Sequence, residues 1–405
     1  MILKLAWRNL WRNKRRTAIT LASVFFAVIL ATLMMSIKYG VYKNMTESMV
    51  ASYTGFVQIH ANGYWESKSI DDAFVLSDSL KDIINSNPKV TGMVERIEGF
   101  VLSATDSTTK GAMVVGTDPK AEMLMTQMNE RVVEGEYLDG ADNAVMVGQG
   151  LADYHHISVG DTLVLLGQGY HGTNAAGKYP IKGIVKFGSP ELSKQLVILP
   201  IEQAKIFFGT EGSITNLVVL MDDASDATSL AKSIGAEVDE RYEVMAWPEL
   251  VPDLVNMIEA DKVEGYVFMF ILYMVISFGM FGTVLMMLAE RKHEFGVMVA
   301  IGMKRSKLAA VVFFETIIIS VIGAFLGILG AFPVCASLYY NPIPFGGEEA
   351  GQMMEDYGME PVIQTSIEPH VFLDQAMIVA LVAMIIAIYP FLSILKINAN
   401  KAMRS

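Results

Sequence analysis

Four stretches of the chain stay apolar long enough to cross a bilayer, which takes about 20 residues. They run over residues 17–37, 266–289, 308–339 and 375–395. The first two carry no charge, the third carries only Glu315, and the fourth has Pro390 near its end. The first is too long for a secretory signal core, and no small-residue cleavage pattern follows, so a retained span is expected. Between the first and second stretches the pattern changes to short alternating or apolar pieces. Strands are expected at 55–60, 97–104, 112–117, 143–147, 162–166, 179–185, 196–199 and 217–221, and helices at 78–85, 201–208 and 225–234. Ser77, Asp78 and Asp223 fit helix caps. Asn87-Pro88, Asp118-Pro119, Ser189-Pro190 and Gly209 are breaks. The expected fold class is membrane α-helical, with four transmembrane helices, plus an α+β domain inserted between helices 1 and 2.

Composition agrees with two environments in one chain. Of 405 residues, 52% are hydrophobic and 18% charged, against about 25% charged in soluble proteins. The net charge of −12 argues against a nucleic-acid partner. One cysteine, Cys335, excludes an internal disulfide framework and a Cys-rich zinc site.

The charges are sorted by segment. Residues 1–16 carry Lys4, Arg8, Arg12, Lys14, Arg15 and Arg16; the turn between spans two and three carries Arg291, Lys292, Lys304, Arg305 and Lys307; the tail carries Lys396, Lys401 and Arg404. The loop between spans three and four has no Lys or Arg, but has Glu348, Glu349, Glu355, Asp356, Glu360 and Glu368. Short basic segments stay in the cytoplasm, so both termini are expected inside and the large domain outside. The expected organisation is a cytoplasmic interfacial helix at 1–16, transmembrane helix 1 at 17–39, a periplasmic domain at 40–262 and transmembrane helix 2 at 263–289. A cytoplasmic coupling helix at 290–307, transmembrane helix 3 at 308–339, an acidic periplasmic loop at 340–371, transmembrane helix 4 at 372–395 and a cytoplasmic tail at 396–405 complete it. Leu3, Trp7, Leu10 and Trp11 share one helical stripe beside Lys4, Arg8 and Arg12, which describes a helix lying on the cytoplasmic leaflet.

Catalytic patterns are nearly lacking. There is no H-E-x-x-H, no G-x-S-x-G and no G-x-x-x-x-G-K-[ST], so no P-loop. His155-His156 before the Gly160-Asp161 turn reads as a loop pair rather than a metal site, and His60, His171, His293 and His370 are scattered.

Two segments suggest mechanical work. From Glu290 to Arg305 a short charged helix places Phe295, Met298 and Val299 on one side, with Gly302 fitting a left-handed helix end. Apolar residues in a short cytoplasmic turn imply a partner surface. From Trp247 to Asp261, Leu250, Leu254, Met257 and Ile258 fall at helical spacing, and no strong breaker follows Leu254 until Gly265. A stalk running into span two is expected.

Read together, these segments resemble bacterial ABC-transporter permeases of the MacB/FtsX/LolCE group. The opening Leu5-Ala6-Trp7-Arg8-Asn9-Leu10-Trp11-Arg12-Asn13 is similar to that family's start. Arg291, Glu294 and Gly296, then Ala300 and Gly302, resemble its coupling pattern R-x-x-E-x-G and A-x-G, and Glu315 matches a glutamate of the next span. Glu134 to Leu138, Asn143 to Gly148 and Val159-Gly160-Asp161 resemble its periplasmic core. The tail from Pro390 to Arg404 resembles its ending, with Asn398-Ala399 in place of the usual N-P. The likeness covers nearly the whole chain, in the family's order.

The resemblance implies a permease without enzymatic activity of its own. It has no cofactor in this chain; ATP and Mg would be bound by a partner. That partner is a cytoplasmic ABC ATPase dimer docked on Glu290, Arg291, Glu294, Phe295, Gly296, Met298, Ala300 and Gly302. A second permease subunit, identical or homologous, completes the complex in the bacterial inner membrane. The size of the outer domain and the Trp247 segment point to the lipoprotein-releasing, LolC/LolE-like branch. Its cargo is a lipoprotein or other amphipathic molecule passed to a periplasmic carrier or adaptor. The expected cargo groove uses Leu33, Met34, Met35 and Ile37 of span one and Val267, Phe270, Ile271 and Met274 of span two. The glycine-rich segment 167–178 sits where one such permease has a carrier-binding loop, which nominates Gln168, Tyr170, His171 and Asn174; a hairpin with no partner is the alternative. An FtsX-like signalling permease controlling a cell-wall hydrolase, and a MacB-like exporter, are the competing functions.

Overall fold

The computed structural model describes residues 2–12, 14–187, 190–344, 346–347 and 362–396. Asn13, the Ser189 break, the acidic residues Glu348, Glu349, Glu355, Asp356 and Glu360, and the tail residues Asn398, Ala399, Lys401 and Arg404 lie outside them. The chain divides into two compact units. One comprises the residues up to Tyr42, those from Ile258 to Pro344 and those from Val362 on; the other is built mainly from Lys43–Met257.

The first unit is helical. Among the described residues an amphipathic helix, Ile2–Arg12, precedes four helices long and apolar enough to span a membrane: Lys14–Met49, Pro252–Glu290, Arg305–Tyr340 and Pro369–Leu395. A short helix, Lys292–Ala300, joins the second and third. Its end is the left-handed turn expected at Gly302, with φ of 104°. Helices in lipid gain little from burying apolar surface against one another, so close fit decides their packing. The third helix supplies it with small residues at every fourth position: Gly323, Gly327, Ala331 and Cys335 are all buried. A Cβ on Gly327 would lie 2.6 Å from Val28 Cβ of the first helix, and one on Gly323 would lie 2.8 Å from Val24 Cβ. Val24, Ala27 and Val28 meet Met280 and Val284 of the second helix and Val379, Ala383 and Ile386 of the fourth in one buried cluster.

The amphipathic helix turns Ala6 and Leu10 inward and leaves Leu3, Trp7 and Trp11 exposed. The expected stripe therefore divides, because Leu10 serves the bundle while the tryptophans face out.

The second unit contains the strands β1 (Val57–Ala61), β2 (Phe74–Val75), β3 (Gly92–Ala104), β4 (Thr109–Thr117), β5 (Val132–Gly135), β6 (Val145–Gly148), β7 (Thr162–Gln168), β8 (Asn174–Val185), β9 (Leu196–Pro200), β10 (Ser213–Ile214), β11 (Asn216–Leu220) and β12 (Tyr242–Ala246). Six of them close a ring of pairings, β3–β4–β9–β6–β8–β7 and back to β3. Two long strands make closure possible. β3 pairs with β11 over Gly92–Arg96 and with β7 over Val101–Ala104. β8 pairs with β7 over Asn174–Pro180 and with β6 further on. β11, β1 and β12 extend from β3 as an arm.

Side-chain alternation decides which residues fill the ring. Leu163 and Leu165 of β7 are buried while Thr162 and Leu166 are exposed. Val197 and Leu199 of β9 join one cluster with Val114 and Val147. Leu196 and Ile198 join a second with Met128, Leu138 and Phe187. β9 is covered on both faces, which is why its sequence is an uninterrupted apolar run.

Candidate functional site

The turn between the second and third spanning helices is organised around a buried ion pair. Arg291 and Glu315 are both almost wholly buried, and Arg291 Nη1 lies 2.9 Å from each carboxylate oxygen. The guanidinium also lies over the Phe295 ring, 5.0 Å from its centre. Glu294 faces the opposite way: its Oε2 is 3.6 Å from Arg291 Nε and accepts from Arg12 Nη2 at 3.0 Å. Asn9 Nδ2 donates to Glu315 at 3.5 Å. Residues of the amphipathic helix, the joining helix and the third span are thus linked through one pair of opposite charges. Such a pair is strong where water is excluded, but taking both charges out of water consumes most of that attraction. Its value is geometric: it fixes the joining helix to the third span.

The surface expected for a partner is corrected here. Phe295 and Gly296 are buried, not exposed, and Met298 is half-buried. Phe295 packs with Met287, Leu308, Ala309, Val312 and Ile394. A short turn cannot cover these residues itself, but the ends of three spanning helices do. Exposed instead are Glu290, Lys292, His293, Glu294, Ala300, Gly302 and, at 81% of its full area, Ile301. Ile301 escaped the reading of the sequence because it falls off the Phe295–Met298 stripe.

The stalk is also corrected at its start. Trp247–Leu250 is a separate turn, and the long helix begins at Pro252. Proline bars the residue before it from helical geometry, and Val251 sits at φ −130°, ψ 65°. Trp247 is held by its indole, which donates to Ala224 O at 3.3 Å. Leu254 and Ile258 on the long helix are buried, while Met257 is exposed. The uninterrupted helix through Gly265 is as expected.

The residues nominated for a cargo groove do not form one wall. Leu33 and Met35 pack against Ala331, Cys335, Val371 and Phe372 of the third and fourth helices. Ile37 is half-buried and Met34 exposed. Val267, Phe270, Ile271 and Met274 form a continuous exposed stripe on the second helix, with Phe270 at 65%. At the same end, Lys38 Nζ lies 3.0 Å from Asp261 Oδ2, and the Tyr42 hydroxyl donates to that carboxylate. Tyr273 of the second helix donates to Gln375 of the fourth.

The segment 167–178 is a hairpin, the alternative reading of that stretch. The β7–β8 ladder continues to the pair Gln168–Asn174, and Gly169 N donates to Thr173 O at 2.7 Å. Only Tyr170, His171 and Gly172 form the tip, with His171 in the left-handed region at φ 53°. His171 N donates to Asp71 Oδ1 at 2.6 Å. His155, read as part of a loop, closes the helix Gln149–His155; its ring meets Ser103 Oγ at 2.9 Å and Thr108 Oγ1 at 2.6 Å.

Two polar groups of the second unit were not singled out from the sequence. Arg96 is fully buried, with Nε 3.0 Å and Nη2 2.5 Å from the Glu122 carboxylate, and Nη1 donating to Tyr53 O at 2.6 Å. His60 is fully buried on β1 against Gln58 Oε1 at 2.7 Å. Burial, helped by the nearby Lys68 charge, pushes its pKa down to about 3. The sequence hides the first of these, because Arg96 stands between Glu95 and Ile97 with Glu98 beyond, in a strand where charge reads as solvent-facing.

The helical unit carries a mixed-sheet domain inserted between its first and second spanning helices. Residues 17–237 match the MacB-like periplasmic core domain and residues 266–399 the FtsX-like permease C-terminal domain. The chain belongs to this family of ABC-transporter permeases: a non-catalytic membrane subunit with an extracytoplasmic domain, in a family whose members work with an ATPase. It is similar to the lipoprotein-releasing system transmembrane protein LolC of Neisseria meningitidis serogroup B, 19% identical over 78% of this chain and 74% of that one. A permease of Methanocaldococcus jannaschii is 19% identical over 81% and 82%. The pyoverdine export ATP-binding/permease protein PvdT of Pseudomonas entomophila is 21% identical over 83% of this chain, which spans 52% of that protein. Among solved structures, the periplasmic region of MacB from Actinobacillus actinomycetemcomitans matches over 52% of this chain and 98% of that one, with 10% identity and a TM-score of 0.37.

Proposed function

We propose that this chain couples ATP hydrolysis by a separate cytoplasmic ATPase dimer to release of lipoproteins from the bacterial inner membrane to a periplasmic carrier. ATP and Mg belong to the ATPase; this chain contributes the levers. A second permease subunit, identical or homologous, pairs with it, and both termini face the cytoplasm. The observation that carries the reading is the pair of unbroken helices, Lys14–Met49 and Pro252–Glu290, with the joining helix that follows the second of them fixed to the third span by Arg291–Glu315. A helix held at its cytoplasmic end and continuous to its outer end transmits displacement without a cofactor. The cargo is supported by the apolar stripe Val267, Phe270, Ile271 and Met274 and by the LolC relative.

One observation favours signalling to a periplasmic hydrolase instead. The Lys38–Asp261–Tyr42 cluster ties the first two spans where cargo would enter. Photo-crosslinkers at Phe270, in membranes lacking ATP, separate the two. Capture of a lipidated protein supports release. Capture of only phospholipid or the sister permease, with a hydrolase or its activator captured by the outer domain, replaces it with signalling.

A further inference from the structure

Within the helical unit there is a cleft of about 380 Å³. Trp7 and Trp11 of the amphipathic helix line it together with Ile319, Ile322 and Leu326 of the third span. Its lining is apolar apart from Lys14 and Thr17, and the Thr17 hydroxyl is already committed to Leu10 O at 2.9 Å. Among the described residues, Lys14 is therefore the one charged side chain in the lining. No acidic residue occurs in the sequence before Glu47, while Lys4, Arg8, Arg12, Lys14, Arg15 and Arg16 are all basic. An apolar cleft beside that much positive charge matches a molecule with an alkyl chain and an anionic head.

We propose that the cleft is a binding site for one anionic phospholipid of the cytoplasmic leaflet, its acyl chain between the tryptophans and the third span and its phosphate on Lys14. Indoles favour the headgroup level of a bilayer, and basic pockets between helices on the cytoplasmic side suit anionic lipid heads. The site has a mechanical consequence. Its walls belong to the amphipathic helix, which reaches Glu294 through Arg12, to the start of the first span, and to the third span, which holds Arg291 through Glu315. A lipid seated there packs between two elements that hold the joining helix. The inference rests on the cytoplasmic placement of the N-terminus proposed above.

The test uses the full chain in phosphatidylcholine nanodiscs, titrated with phosphatidylglycerol bearing brominated acyl chains, which quench tryptophan on contact. Two of the four tryptophans line the cleft; Trp65 and Trp247 belong to the other unit. The signal lost in a Trp7→Phe/Trp11→Phe chain is the signal of the site. Brominated phosphatidylglycerol is expected to quench at about a fivefold lower mole fraction than brominated phosphatidylcholine, the preference one lysine supplies near a membrane surface. Lys14→Gln should erase that preference, and Ala18→Phe, which fills the cleft, should weaken quenching by both lipids. Equal quenching by both lipids means ordinary lipid contact and overturns the site. No quenching means that a second copy or another protein covers the cleft, and a preference surviving Lys14→Gln means that Lys14 does not hold the phosphate; each overturns it too. Leu3→Cys in right-side-out vesicles checks the placement separately, since Cys335 is buried. Labelling by an impermeant maleimide from outside overturns the topology, independently of the lipid preference.

Discussion

Lys38 and Asp261 join the first and second spanning helices at the ends nearest the outer domain. Lys38 Nζ donates to both the carboxylate and the backbone carbonyl of Asp261, each at 3.0 Å. Asp261 is half exposed, and pairs of this kind contribute about 0.2–1 kcal/mol, so the cluster holds a closed state yet opens cheaply. A Lys38→Cys/Asp261→Cys chain tests whether it must open. Oxidation should abolish cargo release while the ATPase still copurifies, and reductant should restore release. Undiminished release from the oxidised chain would show that these ends never separate.

The Arg291–Glu315 pair behaves differently because water does not reach it. Removing one partner leaves a charge buried without compensation, which costs about 3–5 kcal/mol. Glu315→Ala should therefore lower the thermal midpoint of the purified permease markedly. Arg291→Met/Glu315→Leu should recover most of the stability, since both charges are gone. The double variant should still lose stimulation of ATPase activity by cargo, because the joining helix has lost its anchor to the third span. Normal stimulation with the double variant would sink the anchoring role.

Burial of Phe295 and exposure of Ile301 move the proposed ATPase contact to Ile301, and two substitutions distinguish the two surfaces. Phe295→Asp places a carboxylate among Met287, Leu308, Val312 and Ile394, at about 2 kcal/mol or more, and should reduce folded permease in the membrane. Ile301→Asp touches nothing buried. It should leave the permease folded and abolish copurification of the ATPase. If Phe295→Asp folds normally and alone loses the ATPase, the docking surface is the buried stripe and the packing described here is wrong.

How much of this was legible beforehand depends on what each feature needs. The spans and the alternating strands are local patterns, so runs such as Val197–Leu199 or the Leu163/Leu165 alternation identified their elements. The hairpin 167–178 was legible as the alternative to a carrier-binding loop, because strand-like pieces flank it, and Gly167 and Gly177 are strand residues in its ladder. The exposure of Phe295 misled because the walls that cover it come from residues as distant as Ile394. Arg96 and Glu122 lie 26 positions apart, and no local spacing announces such a pair. The stripe Gly323, Gly327, Ala331 and Cys335 went unread, although small residues every fourth position permit close helix approach.

His60 gives the outer domain a dependence on pH that it shares with His155, whose burial beside Lys110 also lowers its pKa. The His60 ring is fully buried beside Gln58, near Lys68 and with Glu243 Oε1 3.6 Å from Nδ1. Burial disfavours the charged imidazolium, so the folded protein binds the proton only near pH 3 while the unfolded chain binds it near 6.5. Between those values the unfolded state holds more protons, so acid favours unfolding. The neutral ring therefore contributes fully above pH 6.5, and its contribution falls by about 1.4 kcal/mol per pH unit below that. Asp142 and Asp223, whose carboxyls are held below their usual range by hydrogen bonds, add to acid loss below pH 4. They cannot account for a loss that starts near pH 6. His60→Gln keeps a polar side chain beside Gln58 and removes the titration. Denaturant unfolding of the full chain, followed through Trp65 and Trp247, should lose stability from pH 6.5 to 4.5 in the parent chain and lose it less steeply in the variant, where the lowered pKa of His155 leaves the remaining slope. Parallel slopes for the two chains would assign the pH dependence to another group and return His60 to an ordinary packing role.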